Sequence, residues 1–197
     1  MKVSIIKRPE AFFSELLEVA IKNQKLRISD SAKVYLIDLL SRNVSNNELI
    51  GNNPRCPYAD KPISIVFQQS LIEPINQRRE MLKYVGDYSL YIGGYFNESL
   101  NNKIIDVDYY ISIGGQAFGN LSKITKSSQT ASLYYEIFNK FANLVDIFME
   151  ISFDTFITRA EDLIRLYDRW LQTGSNVLER KLMEKGIITV DKKLKPA

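Results

Sequence analysis

Apolar residues recur along most of this chain at three- and four-residue intervals, the spacing of one face of an α-helix. Pro9 suits the first turn of a helix, where its missing N–H would have no partner. Phe13, Leu16, Leu17, Ala20 and Ile21 then form one stripe running to about Gln24. Ser29 or Asp30 is placed to cap a second helix carrying Val34, Ile37 and Leu40, with Tyr35, Leu36 and Leu39 widening its apolar face. The stretch from Val44 to Pro62 loses the period and fills with Asn, Gly and Pro, which predicts a long irregular loop. Ile63 to Glu73 reads as a short helix stopped by Pro74, and Asn76 as the cap of a longer one from Gln77 to about Phe96.

That longer segment has a competing reading. Tyr88 to Ile92 has strand propensity, and Gly93-Gly94 suits a hairpin turn. The helical reading is preferred on geometry, because Leu82, Gly86, Ser89 and Gly93 fall on one stripe of mostly small residues. The next segment, Asp106 to about Lys123, repeats the device with Ser112, Gly115, Gly119 and Ser122. Small residues in register let two helix backbones approach closely, which offsets a propensity cost of about 1 kcal/mol per helical glycine. Gly86, Ser89 and Gly93 are therefore expected to meet Ser112, Gly115 and Gly119 at a close crossing or a subunit contact.

Further on, Ser128 or Thr130 opens what reads as one long helix with Leu133, Ile137, Phe138, Phe141, Leu144, Val145, Phe148 and Ile151 on one side. Another begins near Thr158 and carries Leu163, Leu166, Tyr167, Trp170 and Leu171, with Gly174 at its C-terminal cap. A short helix with Leu178 and Leu182 runs from Ser175 to Gly186. The pattern predicts an all-α bundle of about eight helices, one domain over residues 1–190, and a basic tail over 191–197.

Composition narrows the chemistry more than the fold. The 197 residues include no histidine, which excludes a Ser-His-Asp triad, a Cys-His dyad, His-ligated zinc or haem, and a histidine acid–base catalyst. Cys56 is the single cysteine, so no intramolecular disulfide and no thiolate cluster can form. A lone thiol, an N-terminal apolar run closed by Arg8 and Pro9, and no stretch of about 18 apolar residues predict a cytoplasmic protein without membrane insertion. The net charge of +3 resides in residues 175–197, which hold six basic and three acidic residues, so the remainder is neutral. That is far from the basic stripe of a dedicated nucleic-acid binder.

Three constellations bear on function. Asp87, Asp106, Asp108, Tyr109 and Tyr110 are the acidic and aromatic residues best suited to line a ligand pocket, although Asp106 and Asp108 also suit a helix N-terminus. Arg78, Arg79 and Lys83 make a basic face on one helix turn, suited to phosphate. Cys56, beside Arg55 between two prolines, lacks a histidine to activate it and reads as incidental. No residue set predicts a metal or a cofactor: the glycine pairs 93–94 and 114–115 match neither a Walker loop nor a dinucleotide fingerprint.

Leu82, Gly86-Asp87, Leu90-Tyr91, Gly94-Tyr95-Phe96, Asp106 to Tyr110, Arg169-Trp170 and Thr173-Gly174-Ser175 together resemble a family of bacterial proteins of about this length. The resemblance covers most of the chain after residue 60 and implies a single bacterial cytoplasmic domain, with no activity and no site attached. With no histidine, no metal set, no nucleotide motif and a neutral body, the expected function is a non-enzymatic one: binding a protein partner in a regulatory or adaptor role, or a second copy of the chain as in a homodimer. The rival readings are an RNA- or DNA-associated regulator using the basic face and tail, and an enzyme or ligand carrier using the Asp/Tyr cluster.

Overall fold

The protein is seen in a computed structural model that describes residues 8–46, 49, 57–58, 60–96, 106–156, 167, 170–171 and 176–184. Among these, eight α-helices and one π-turn occur, with no strand, so the all-α expectation holds. The helices are α1 (Pro9–Asn23), α2 (Asp30–Asn46), α3 (Ile63–Ser70), α4 (Ile75–Leu90), α5 (Val107–Ile124), α6 (Ser128–Asn139), α7 (Phe141–Phe156) and α8 (Asn176–Glu184). The π-turn Tyr91–Tyr95 continues α4 directly. Contacts fall into two compact units, Met1–Ser152 and Phe153–Ala197.

In the first unit, Pro9 occupies the opening turn of α1, and Phe13, Leu17 and Ala20 are its buried stripe. The helix closes in a Schellman turn in which Lys25 N donates to Lys22 O and Leu26 N to Ile21 O. Lys25 takes the left-handed position usually given to glycine, with φ 53°. Ser29 caps α2 through Oγ, which accepts from Ala32 N at 3.1 Å. The buried face of α2 is Ala32, Leu36, Leu39 and Leu40, whereas Val34 is 67% exposed. The expected stripe through Val34 is thus rotated by about one residue, because Tyr35 on its other flank turns inward to meet α4.

The close pairing of α4 with α5 dominates this unit. Instead of Asn76 capping it, α4 starts at Ile75 behind Pro74, with no side-chain cap. In the π-turn, Phe96 N donates to Tyr91 O at 3.0 Å, so the helical ladder persists through both glycines and the hairpin alternative is absent from residues 88–96. Close approach requires glycine at position 94, where a Cβ would sit 2.4 Å from Phe148 Cβ and 3.0 Å from the carbonyl oxygen of Val145.

The sequence predicts one long helix from Ser128; the structure has two, separated at Lys140 (φ −111°, ψ 13°). The residue that breaks it also anchors it. Lys140 Nζ donates to Arg27 O and to Glu136 Oε1, while the same Glu136 oxygen accepts from Ser29 N. Glu150, fully buried on α7, accepts from Asn23 Nδ2 at 2.7 Å and Gln24 Nε2 at 2.8 Å. The α1–α2 turn is thereby clamped by polar groups on α6 and α7. The break also separates two different helices: α6 buries only Ile137, whereas α7 buries Phe141, Leu144, Val145, Ile147, Phe148 and Ile151.

In the second unit, α8 buries Leu178 and Leu182 as expected, and the rings of Tyr167 and Trp170 lie 5.6 Å apart. Leu163, Leu166, Gly174, Gly186, the 191–197 tail, Cys56 and most of the 44–62 loop lie outside the described residues.

Candidate functional site

The acidic and aromatic residues singled out from the sequence do not form one pocket. Asp87 is 4% exposed on α4; Tyr35 Oη donates to its Oδ1, and Lys83 Nζ donates to its Oδ2 at 2.5 Å. The Lys83 ammonium also lies 5.1 Å from the centroid of the Tyr35 ring. Burial, reinforced by the Asp87 charge, pushes the Tyr35 phenol well above the ordinary tyrosine value, so it remains a donor to the carboxylate. Asp106 and Asp108 are instead exposed at the N-terminus of α5, where Asp106 Oδ1 accepts from Val107 N at 2.6 Å. They serve the helix start. Tyr109 and Tyr110 join a row of rings, Tyr58–Tyr84–Tyr88–Tyr110–Tyr109, with successive centroids 5.4, 5.7, 6.4 and 5.3 Å apart. Within that row burial pushes the Tyr110 phenol up to about 12.

The basic face is also spent internally. Arg78 Nε donates to Ser70 O at 3.0 Å and its Nη2 to Leu71 O, closing the C-terminus of α3. Arg79 Nε and Nη2 both donate to Ile124 O, at 3.0 and 2.5 Å, closing the C-terminus of α5. Last carbonyls of a helix have no intrahelical donor, and the dipole there favours a cation. Lys83 is paired with Asp87 as described. The three residues therefore act as structural donors, not as a free phosphate face.

The small-residue stripes meet differently from the expectation. A Cβ on Gly114 would lie 2.6 Å from Ser89 Cβ and 2.3 Å from Phe141 Cζ, so Gly114, not Gly115, faces α4 with no room for a side chain. Gly86 makes room for the Phe118 ring, and a Cβ on Gly93 would lie 3.0 Å from Tyr110 Cβ. A Cβ at Gly115 would meet nothing nearer than Phe141 Cβ at 3.8 Å, and Ser112 is exposed. On α5 the register differs by one residue: Gly114 faces Ser89 with the Phe141 ring beside it, while Gly86 and Gly93 lie against Phe118 and Tyr110 of α5.

Gly119 points to a feature the sequence did not announce. With Gln116, Asn120, Ser122 and Lys123 of α5 and Tyr135 and Phe138 of α6, it lines a groove of about 260 Å³. Tyr135 is 58% and Phe138 40% exposed, and their rings pack at 6.2 Å. A Cβ on Gly119 would lie 3.1 Å from Phe138 Cδ2, so the glycine forms the floor beneath that ring. The sequence pattern places Phe138 in a buried stripe and Tyr135 in none. The signal available was the amphipathic mismatch of α6, whose apolar Tyr135 and Phe138 share a face three residues apart, away from Ile137.

Among the described residues there is no group of acidic or thiol side chains able to hold a metal, and no helix long and apolar enough to cross a membrane. Comparison of the chain with protein-family models, curated proteins and solved structures gives no match.

Proposed function

We propose that this protein is a non-enzymatic helical binding protein that engages a protein partner through the α5–α6 groove. The observation that carries this reading is the exposure of Tyr135 and Phe138 side by side over a glycine floor, while Tyr91, Tyr95, Phe13, Phe118 and Phe148 are fully buried. Contiguous exposed apolar surface marks interaction sites, and binding sites are typically concave with aromatic lining. Support also comes from what the polar clusters are occupied with: Arg78 and Arg79 cap helices, and Asp87 is paired inside the bundle. Those side chains of the basic face and of the Asp/Tyr cluster are thus engaged within the bundle.

A photo-crosslinking amino acid placed at position 135 tests the reading in the cell that makes the protein. The expected result is a light-dependent adduct to a protein, either a distinct chain or a second copy, that is absent when the probe sits at exposed Gln129. Adducts equal at both positions, or none at 135, overturn it.

A further inference from the structure

The groove's lining specifies what it would accept. Its uncharged polar groups bond within their own helix: Asn120 Nδ2 donates to Gln116 O at 2.9 Å, Gln116 Nε2 to Ser112 Oγ at 3.2 Å, and Ser122 Oγ to Gly119 O at 2.9 Å. The one charge in the lining is Lys123, which is exposed and has no counter-ion among the described residues. Lys126, also exposed, follows just past the end of α5. No carboxylate belongs to the lining. One wall is aromatic and one end is positive.

From Gln116 to Lys123 the floor runs two turns of α5, about 10 Å, the reach of roughly three residues of extended chain. We infer that the groove binds a short acidic segment of a partner protein, seating an apolar or aromatic side chain on Tyr135 and Phe138 over Gly119 and placing a carboxylate on Lys123. This rests on the groove being the interaction site and adds the chemistry of its occupant. An aromatic wall supplies area and an open glycine floor supplies depth, while the lone ammonium selects the sign of charge. The Gln116 and Asn120 amides and the Ser122 hydroxyl already bond within α5, so they make no demand on the segment.

The test uses the full-length protein labelled with ¹⁵N and three synthetic hexapeptides, identical except that two residues placed before a phenylalanine are glutamate, glutamine or lysine. The expected result is that the glutamate peptide shifts the backbone amides of Gly119 and Asn120 and binds more tightly than the glutamine peptide, with the lysine peptide weakest. Lys123→Gln should reduce affinity for the glutamate peptide by about threefold, the size of an exposed ion pair, and abolish its advantage over the glutamine peptide. Phe138→Ala should weaken all three peptides by about five- to tenfold. Equal binding of the three peptides, or preference for lysine, overturns the acidic occupant; a protein adduct at position 135 would then still uphold the groove as an interaction site. Equal shifts from 3-phenylpropionate at the same concentration would assign the groove to small aromatic acids and overturn the peptide. Because Lys123 is exposed and Phe138 half-exposed, both variants are expected to fold, and retention of the wild-type melting temperature checks that they do.

Discussion

Two faces of α5 use glycine for opposite ends. On one, Gly114 lies against Ser89 of α4 and the Phe141 ring, and nothing larger than a hydrogen fits. On the other, Gly119 lies under a half-exposed Phe138 and leaves the 260 Å³ groove open beside it. The two residues are five positions apart on one helix and share their intrinsic cost relative to alanine. What differs is the neighbour. At the crossing the neighbours are buried and held from several sides, so close packing leaves them no room to yield. At the groove the neighbour is a ring with solvent behind it. A glycine thus marks a close approach in both places, and only the mobility of what approaches decides whether it builds a core or a surface.

The largest expected effects lie where a glycine is fully enclosed, at Gly114 on that closed face and at Gly94 against α7. Gly114→Ala and Gly94→Ala should each destabilise the protein by about 2–3 kcal/mol, since the added Cβ would lie 2.3 Å from Phe141 Cζ in one case and 2.4 Å from Phe148 Cβ in the other. Urea denaturation measures this; unchanged midpoints for both would show that the neighbours of these glycines yield to an added methyl group. Arg79→Ala should cost roughly 1.5 kcal/mol, by removing the charged donor that joins α4 to the last carbonyl of α5. Arg79→Lys should recover only part of that loss, because one ammonium cannot place the two forked donors.

Gly115→Ala and Gly119→Ala sharpen the comparison by sign. With no contact nearer than 3.8 Å, Gly115→Ala should raise stability by up to about 1 kcal/mol, the propensity gain alone. Gly119→Ala should change stability by less than about 0.5 kcal/mol, the same gain being offset by displacement of Phe138. A loss at Gly115 as large as that at Gly114 would erase the distinction between the faces.

The smallest effects are electrostatic. Tyr35 and Tyr110 are raised by burial, so between about pH 10 and their folded values the unfolded chain has released phenol protons that the folded chain retains. Stability is therefore fully present below about pH 10 and falls as pH rises above it. Tyr110→Phe should flatten that decline in denaturation midpoints measured from neutral to strongly alkaline pH. Asp146, half-buried on α7, is raised by desolvation, which makes its ionised form a cost at neutral pH. Asp146→Asn should stabilise at pH 7 and lose that advantage as pH falls toward about 3.

Much of the fold was legible in the chain. The three- and four-residue periods of α1, α4, α5 and α8 depend on which residues are apolar and how far apart they stand, and these are local properties. Pro9, Ser29 and Asp106 marked helix starts for the same reason: a capping side chain or a proline acts on backbone within one turn of itself. The absence of histidine and of paired cysteines removed whole classes of chemistry without reference to any fold.

Only the tertiary structure decided where the polar side chains went and which small residues touched. Arg78 and Arg79 look like a free basic face until the ends of α3 and α5 arrive beside them, and Asp87 looks like a pocket carboxylate until Tyr35 crosses from α2, 52 residues away. The break at Lys140 has no breaker residue; beside it Glu136 and Lys140 bond to Ser29 and Arg27, more than a hundred residues distant. Helix periodicity places a side chain on a face, but the rotation of that face and the side chain opposite it are set by packing between segments far apart in sequence. For that reason Gly114 took the crossing predicted for Gly115, and Tyr135 and Phe138, apolar like any core pair, were left facing water across a glycine floor.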